Sequence, residues 1–339
     1  MRAAVTVAPR RIEIREVPDP RPAPDEALIK VETAGICGSD LHLFDGSNPY
    51  ANYPRTQGHE FSGRVISFGG AYGGPVNVGD RVTVEPLIWC GDCYPCRNDR
   101  PNCCVRLKVL GVHVDGAFSD MIAVKSRALF PVGGLDAELT TLVEPVSIGM
   151  QVVCRATVTG ADTVVVYGAG VIGQAALICA RDRGARVLVV DKLRPRLELA
   201  KQLGAEAVAE AGKDDVPGMI KDWTNGEGTA VAIDATGAPS AIRAAIDAVA
   251  PSGRVVIVGI SNQEVSIPVI EFSRKELTIL GSRNNTGVFG DALDLVRRLG
   301  EKLRVLVTHR FPIEQAQAAM TLAHDRPHEA EKVLLVVSQ

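Results

Sequence analysis

The chain has 339 residues, 46% of them hydrophobic and 23% charged, with a formal net charge of -3. That length supports two domains with sizeable cores, and the composition is that of a globular protein. The charge gives no electrostatic reason to expect nucleic acid or an anionic membrane as a partner.

The amino terminus shows neither the apolar run nor the cleavage site of an export signal, so the expected location is the cytoplasm. In a reducing cytosol the clustered cysteines among Cys37, Cys90, Cys93, Cys96, Cys103, Cys104, Cys154 and Cys179 are expected to bind metal rather than pair as disulfides.

Residues 1 to 35 alternate apolar and polar side chains around a proline-rich turn at 18–24, the pattern of short antiparallel strands. Gly35-Ile36-Cys37-Gly38-Ser39-Asp40-Leu41-His42 follows, with a short helix expected from Asp40. Gly58-His59-Glu60 answers it and opens a strand reaching Phe68. Together they place a thiol, an imidazole and a carboxylate close in sequence. Cys and His are preferred zinc ligands, and three protein ligands leave a fourth position open for chemistry.

Next come Cys90, Cys93 and Cys96 at three-residue steps, with Cys103 and Cys104 beyond. Four of these sulfurs can surround one ion, the fourth being Cys103 or, by preference, Cys104. A closed four-sulfur site leaves no open position, so its role would be structural. The plainer reading is a reduced surface cluster or disulfides. Leu110 to Val124 reads as strand with a turn at Gly116, and Leu139 to Ala156 as helix. Glu144 begins that helix in an apolar setting. It is either a carboxylate favoured by the helix dipole or a metal ligand.

Thr163 to Ala180 carries no charge and approaches the length of a membrane span, about 20 residues. Gly168, Gly170 and Gly173 punctuate it, and a buried strand turning into a buried helix explains it better. Strand, Gly168-Ala169-Gly170-Val171-Ile172-Gly173, helix, strand and then Asp191 is the dinucleotide-binding arrangement. Asp191 would accept from both ribose hydroxyls and repel a 2′-phosphate, favouring NAD over NADP, although Lys192 and Arg194 stand nearby.

The alternation continues with helix 197–203, strand 230–234, helix 240–250, strand 254–258 and strand 277–283. Thr236, Gly259 and Ile260 follow strand ends, where small residues would admit a nicotinamide or simply make turns. Helices are expected at 291–299 and 313–323, and a closing strand at 333–337. That strand is expected to pair back into the first domain, so that 148–283 is an insertion between 1–147 and 284–339.

These motifs, with Leu142-Val143-Glu144-Pro145-Val146-Ser147-Ile148-Gly149 and Val78-Gly79-Asp80-Arg81-Val82, resemble the zinc-containing medium-chain dehydrogenases end to end. Within that family the likeness is to the sorbitol and L-threonine dehydrogenase branch. Leu110-Gly-Val-His113 and Gly281-Ser-Arg-Asn look most like its L-galactonate and starvation-sensing group.

The resemblance implies an α/β chain: a GroES-like β-barrel catalytic domain with an inserted Rossmann domain, a doubly wound parallel sheet. It implies one catalytic zinc and one structural zinc. Cys37, His59, Glu60 and Glu144 resemble the catalytic set, with Glu60 and Glu144 alternative acidic ligands. Cys90, Cys93, Cys96 and Cys104 resemble the structural set. Asp40 looks like the carboxylate that orients the ligand histidine, and Ser39 and His42 occupy proton-relay positions. Val171, Ile172 and Arg196 join the glycines, Asp191, Thr236, Gly259, Ile260 and Arg283 as cofactor-binding candidates. Arg283 is open between a substrate carboxylate, the cofactor and solvent.

The implied activity is transfer of a hydride from a secondary alcohol of a polyol or sugar acid to NAD. The partners implied are a small-molecule alcohol and further copies of the chain, as tetramer or dimer. An L-threonine 3-dehydrogenase shares every motif, and a non-catalytic NAD- and zinc-binding sensor is the alternative of another class.

Overall fold

The computed structural model describes residues 1–338. The chain divides into two compact units, one of Met1–Glu144 with the segment from Phe289 onward, the other Pro145–Val288.

In the first unit the central strand is Glu26–Gly35, with Ala27, Ile29 and Val31 fully buried. It runs antiparallel to Glu60–Phe68 along one edge and to Met121–Lys125 and Lys332–Val336 along the other. Arg81–Val84 and Leu129–Pro131 extend the sheet beyond Glu60–Phe68, and Val307–Pro312 lies parallel to Lys332–Val336. Phe44, Phe61 and Phe118 fill the core beneath it. The register sets Gly35 opposite Glu60 on one side and Leu334 on the other. A strand from the end of the chain is thereby laid beside the strand that leads to Cys37.

The expectation of strand from Leu110 to Val124 is corrected. Only Met121–Lys125 is a strand of the main sheet; Lys108–Val109 pairs with Leu87–Ile88 at the base of the cysteine lobe. Residues between them form turns because their backbone is used against the histidine loop. Gly116, Ala117 and Phe118 donate to the carbonyls of Thr56, Gly58 and Gln57.

The second unit holds six parallel strands in the order Ala207–Glu210, Arg186–Asp191, Thr163–Tyr167, Thr229–Asp234, Val249–Ile257, Thr278–Gly281. Val164 to Val166, Val187 to Val189 and Val231 to Ile233 have no exposed surface. Strands this apolar need cover on both faces, as in doubly wound sheets. The order reverses between Thr163–Tyr167 and Thr229–Asp234, and the crevice at that reversal is where such sheets take ligands.

The run Thr163 to Ala180 is the strand, a glycine turn and the helix Val171–Asp182. Among the described residues no helix is long and apolar enough to cross a membrane. Residues 204–229 carry no clear sequence signal for an element. The structure has the strand Ala207–Glu210, a short edge strand without a clear apolar run, and the helix Val216–Trp223, capped by Asp215.

Candidate functional site

Cys37 is the N-cap of the helix Gly38–Asp45. Asp40, at the third helical position, accepts from Cys37 N at 2.9 Å, the return bond of a capping box. The three-residue spacing of cysteine and aspartate is thus local helix chemistry. Asp40 is fully buried, and its second oxygen takes Gly58 N at 3.3 Å and Gln57 Nε2 at 3.4 Å. One carboxylate therefore fastens the cysteine loop to the histidine loop. His59 Nδ1 faces Asp40 Oδ1 at 3.9 Å, longer than a hydrogen bond, and Ser39 Oγ lies 3.4 Å from His59 Nε2.

Cys37, His59 and Glu60 each offer one ligand atom, all within 4.8 Å of one another. Glu60 reaches this group by folding back over the central strand. A Cβ on Gly35 would stand 2.4 Å from Glu60 Oε2, so a larger residue there would make the carboxylate shift. Glu144 is buried in the first turn of Val143–Arg155 but lies outside the three-residue group. His42 sits further along the same helix as Ser39, exposed.

The electrostatics call for a cation. Burial, then the charge of Glu60, pushes the Cys37 thiol up to about 12. Burial, then Glu60 and Cys37, pushes the Glu144 carboxyl up to about 8 against the pull of His59. For His59 burial disfavours the charged ring, but Asp40, Glu144 and Glu60 outweigh it and raise its pKa.

Lys332 supplies one positive charge. Its Nζ lies 2.5 Å from Glu60 Oε2 and 3.1 Å from the Ile36 carbonyl, with both side chains about 1% exposed. Glu60 Oε1 is buried with no hydrogen-bond partner among the described residues. A half-buried thiol beside a buried imidazole and an unsatisfied buried carboxylate oxygen fits a zinc ion, whose binding would release the thiol proton. Sequence reasoning missed Lys332. The signal was there: a lysine at the mouth of an apolar strand already expected to be buried.

Four further sulfurs, of Cys90, Cys93, Cys96 and Cys104, form a second group. Neighbouring sulfurs are separated by 3.9 Å (Cys90 to Cys96), 3.4 Å (Cys93 to Cys96), 3.8 Å (Cys93 to Cys104) and 3.4 Å (Cys90 to Cys104). Tetrahedral zinc with its usual bond to sulfur needs about 3.8 Å between ligands, so the residues fit. Cys103 lies outside the group. Backbone N–H groups of Cys96 and Val105 pull the Cys93 thiol down to about 6, while burial pushes Cys96 up to about 12.

In the second unit the glycine turn opens the helix Val171–Asp182 at its N-cap, Gly170. Gly173 has to be glycine, because a Cβ there would fall 1.8 Å from the Gly168 carbonyl oxygen. Arg196 stands over the same turn, its Nη1 3.6 Å from where a Cβ of Gly170 would be. Asp191 Oδ2 accepts from Ala169 N at 2.6 Å and Oδ1 from Leu193 N at 2.8 Å. Gly168, Asp191, Arg196 and Thr236 line a cavity of about 1110 Å³.

Asp234, fully buried, holds the turn that follows its strand by accepting from Thr236 N, Thr236 Oγ1 and Gly237 N. Gly259 lies against Gly237, whereas Ile260 and Arg283 are exposed. Val171 and Ile172 form the first turn of the helix.

Residues 23–134 match the alcohol dehydrogenase GroES-like domain, and residues 171–298 the zinc-binding dehydrogenase domain. An uncharacterized zinc-type alcohol dehydrogenase-like protein of Haemophilus influenzae is 36% identical over 96% of this chain and 95% of its own length. The chain belongs to the zinc-type alcohol dehydrogenase family.

Another relative, the L-galactonate-5-dehydrogenase of Escherichia coli K12, is 32% identical over 100% of this chain and 99% of its own. A crystal structure described as a short chain alcohol dehydrogenase (rspB) from E. coli CFT073, complexed with NADH, superposes with a TM-score of 0.93. It has 33% identity and covers 99% of each chain. This zinc-type dehydrogenase is therefore an oxidoreductase that works with zinc and a nicotinamide dinucleotide.

Proposed function

We propose that this dehydrogenase oxidises a secondary alcohol of a polyol or sugar acid, of the L-galactonate kind, with NAD as acceptor. The observation that carries the reading is the group of half-buried Cys37 with buried His59 and Glu60, and the hydroxyl of Ser39 beside it. The end-to-end similarity to an L-galactonate-5-dehydrogenase supports the substrate class.

Cys37, His59 and one of Glu60 or Glu144 would hold the catalytic zinc, and Cys90, Cys93, Cys96 and Cys104 the structural one. Zinc, when bound, supplies the Lewis acidity that eases loss of the alcohol proton, and NAD takes the hydride. Asp40 fixes the two ligand loops and faces the far side of the His59 ring, the usual place for a carboxylate behind a ligand histidine. Ser39 Oγ receives the alcohol proton and His42 passes it to solvent.

The Gly168 to Gly173 turn and Arg196 hold the pyrophosphate at a helix N-terminus. Asp191 receives the adenosine ribose, and its charge disfavours the 2′-phosphate of NADP. The enzyme acts in the cytoplasm as a homo-oligomer, dimer or tetramer.

The test is NADH formation across polyols, aldonates and L-threonine, on protein whose zinc content is measured alongside. Activity on polyols or aldonates with two zinc ions per chain is expected. Turnover of L-threonine alone would replace the substrate class, and NADH binding without turnover of any member would favour a sensor.

A further inference from the structure

The glycine turn of the second unit is held from behind by a closed circuit of hydrogen bonds. Ala169, between the first two glycines, gives its N–H to Asp191 Oδ2 at 2.6 Å and takes Gln174 Nε2 on its carbonyl at 2.9 Å. Gln174 is the fourth residue of the helix Val171–Asp182 and has no exposed surface. Its Nε2 also donates to the Arg196 carbonyl at 2.9 Å. Arg196 lies in the first turn of the helix Arg194–Gln202, and Leu193, the N-cap of that helix, donates its N–H to Asp191 Oδ1 at 2.8 Å. The circuit therefore runs from Ala169 through Asp191, Leu193, Arg196 and Gln174 back to Ala169.

The Gln174 amide has one workable orientation. It faces two carbonyl oxygens, which only accept, and of its two ends only the nitrogen carries hydrogens. Both hydrogens go to those carbonyls, and Oε1 is left buried with no hydrogen-bond partner among the described residues. An acceptor buried without a donor costs stability. What the residue supplies in return is the pair of bonds.

Those bonds have two consequences at the turn. In a trans peptide the N–H points opposite to the C=O. The Ala169–Gly170 peptide is trans, and its carbonyl is turned inward to a fully buried side chain, so the Gly170 N–H is turned outward. Gly170 is the N-cap of its helix, where N–H groups have no partner within the helix. The second bond anchors the main chain of Arg196, whose Nη1 stands 3.6 Å from where a Cβ on Gly170 would be. One amide thus sets a backbone donor and a guanidinium beside each other.

We propose that Gln174 is a positioning residue for the pyrophosphate of the dinucleotide, holding the Gly170 N–H and the Arg196 guanidinium in place to bind it together. The inference rests on the reading, given above, of the glycine turn and Arg196 as the pyrophosphate site. Gln174 is fully buried and acts through these two groups. Asp191 keeps both of its own bonds when Gln174 is replaced, so the ribose end of the site is spared.

The experiment is calorimetric binding of ADP-ribose and of adenosine to zinc-loaded protein, with no alcohol present. ADP-ribose carries the pyrophosphate and adenosine lacks it. Gln174→Met, which keeps the length of the side chain and removes both donors, is expected to weaken ADP-ribose about tenfold and adenosine by about twofold at most. Arg196→Met is expected to weaken ADP-ribose about tenfold as well, and the double variant by less than the product of about a hundredfold, because one residue acts partly through the other. A second measurement uses the wild type alone. In 15N-glycine-labelled protein the Gly170 amide signal, assigned by its loss in Gly170→Ala, is expected to shift with ADP-ribose and to stay in place with adenosine. Equal weakening of both ligands in Gln174→Met, no weakening of either, full multiplication of the two losses, or a Gly170 signal indifferent to ADP-ribose overturns the proposal. A wild type that binds no ADP-ribose removes the reading of the turn, and the proposal with it, an outcome distinct from each of these.

Discussion

Replacing Lys332 by methionine removes the ammonium bonded to Glu60 while keeping the length of the side chain. The two charged atoms are 2.5 Å apart and both side chains are about 1% exposed. At an effective dielectric of about 20 their attraction is about 7 kcal/mol before desolvation is subtracted. Most of that gain is offset by burying the charges, but removing one partner leaves the other buried and uncompensated, a loss of about 3–5 kcal/mol.

Such a loss is a large part of the stability of an ordinary domain. It should fall on zinc-free protein. With zinc bound, Glu60 has a second cation within reach, and the loss should shrink to about 1–2 kcal/mol, the packing and single hydrogen-bond part. The assay is urea unfolding of wild type and Lys332→Met, each with and without a chelator. Lys332→Met with Glu60→Gln should recover much of the loss, giving a double-mutant cycle. Equal destabilisation in the two zinc states, or no coupling between the two substitutions, would refute the claim that Glu60 is poised between lysine and metal.

Three further outcomes are expected. Cys104→Ser should lower zinc from two ions per chain to one in metal analysis, whereas Cys103→Ser should leave two, because only Cys104 lies in the four-sulfur group. Asp191→Ala should reduce the preference for NAD over NADP by about tenfold or more, one charge-assisted contact being worth about 1.5–3 kcal/mol. Steady-state kinetics with both cofactors reads it, and a melt should show a stability loss as well, since Asp191 also caps Ala169 N and Leu193 N. Glu85 is held up to about 7 by burial, against the pull of Arg127. Its folded pKa is raised, so its contribution to stability is fully present below the unfolded value and is lost as pH rises through about 7. Glu85→Gln should therefore be near neutral at pH 4.5 and stabilising by about 2–3 kcal/mol at pH 8. Denaturation at the two pH values checks this, and a difference independent of pH would count against it.

The parts of this protein written within a single turn or loop are legible without a structure. Cysteines at three-residue steps and a glycine turn between strand and helix each make their geometry locally, so residue type and spacing suffice. The buried parallel strands are legible for a related reason, since runs of four consecutive apolar residues suit a sheet covered on both faces.

Other features needed the tertiary structure. Residues 110–119 have the composition of strand, but Val112 and His113 close a local turn on the Val109 carbonyl, and Gly116, Ala117 and Phe118 give their backbone N–H groups to the segment before His59. Ala207–Glu210 is held as a strand by its neighbour Arg186–Asp191 more than by any pattern of its own. Glu60 enters the metal-capable group while Glu144 stays outside it, although the two carboxylates are equally suited by residue type. Lys332 meets Glu60 across 272 residues of chain because a sheet register, Leu334 beside Gly35 beside Glu60, brings the last strand to the first ligand. Pairing over that separation depends on every element between, and no local spacing encodes it.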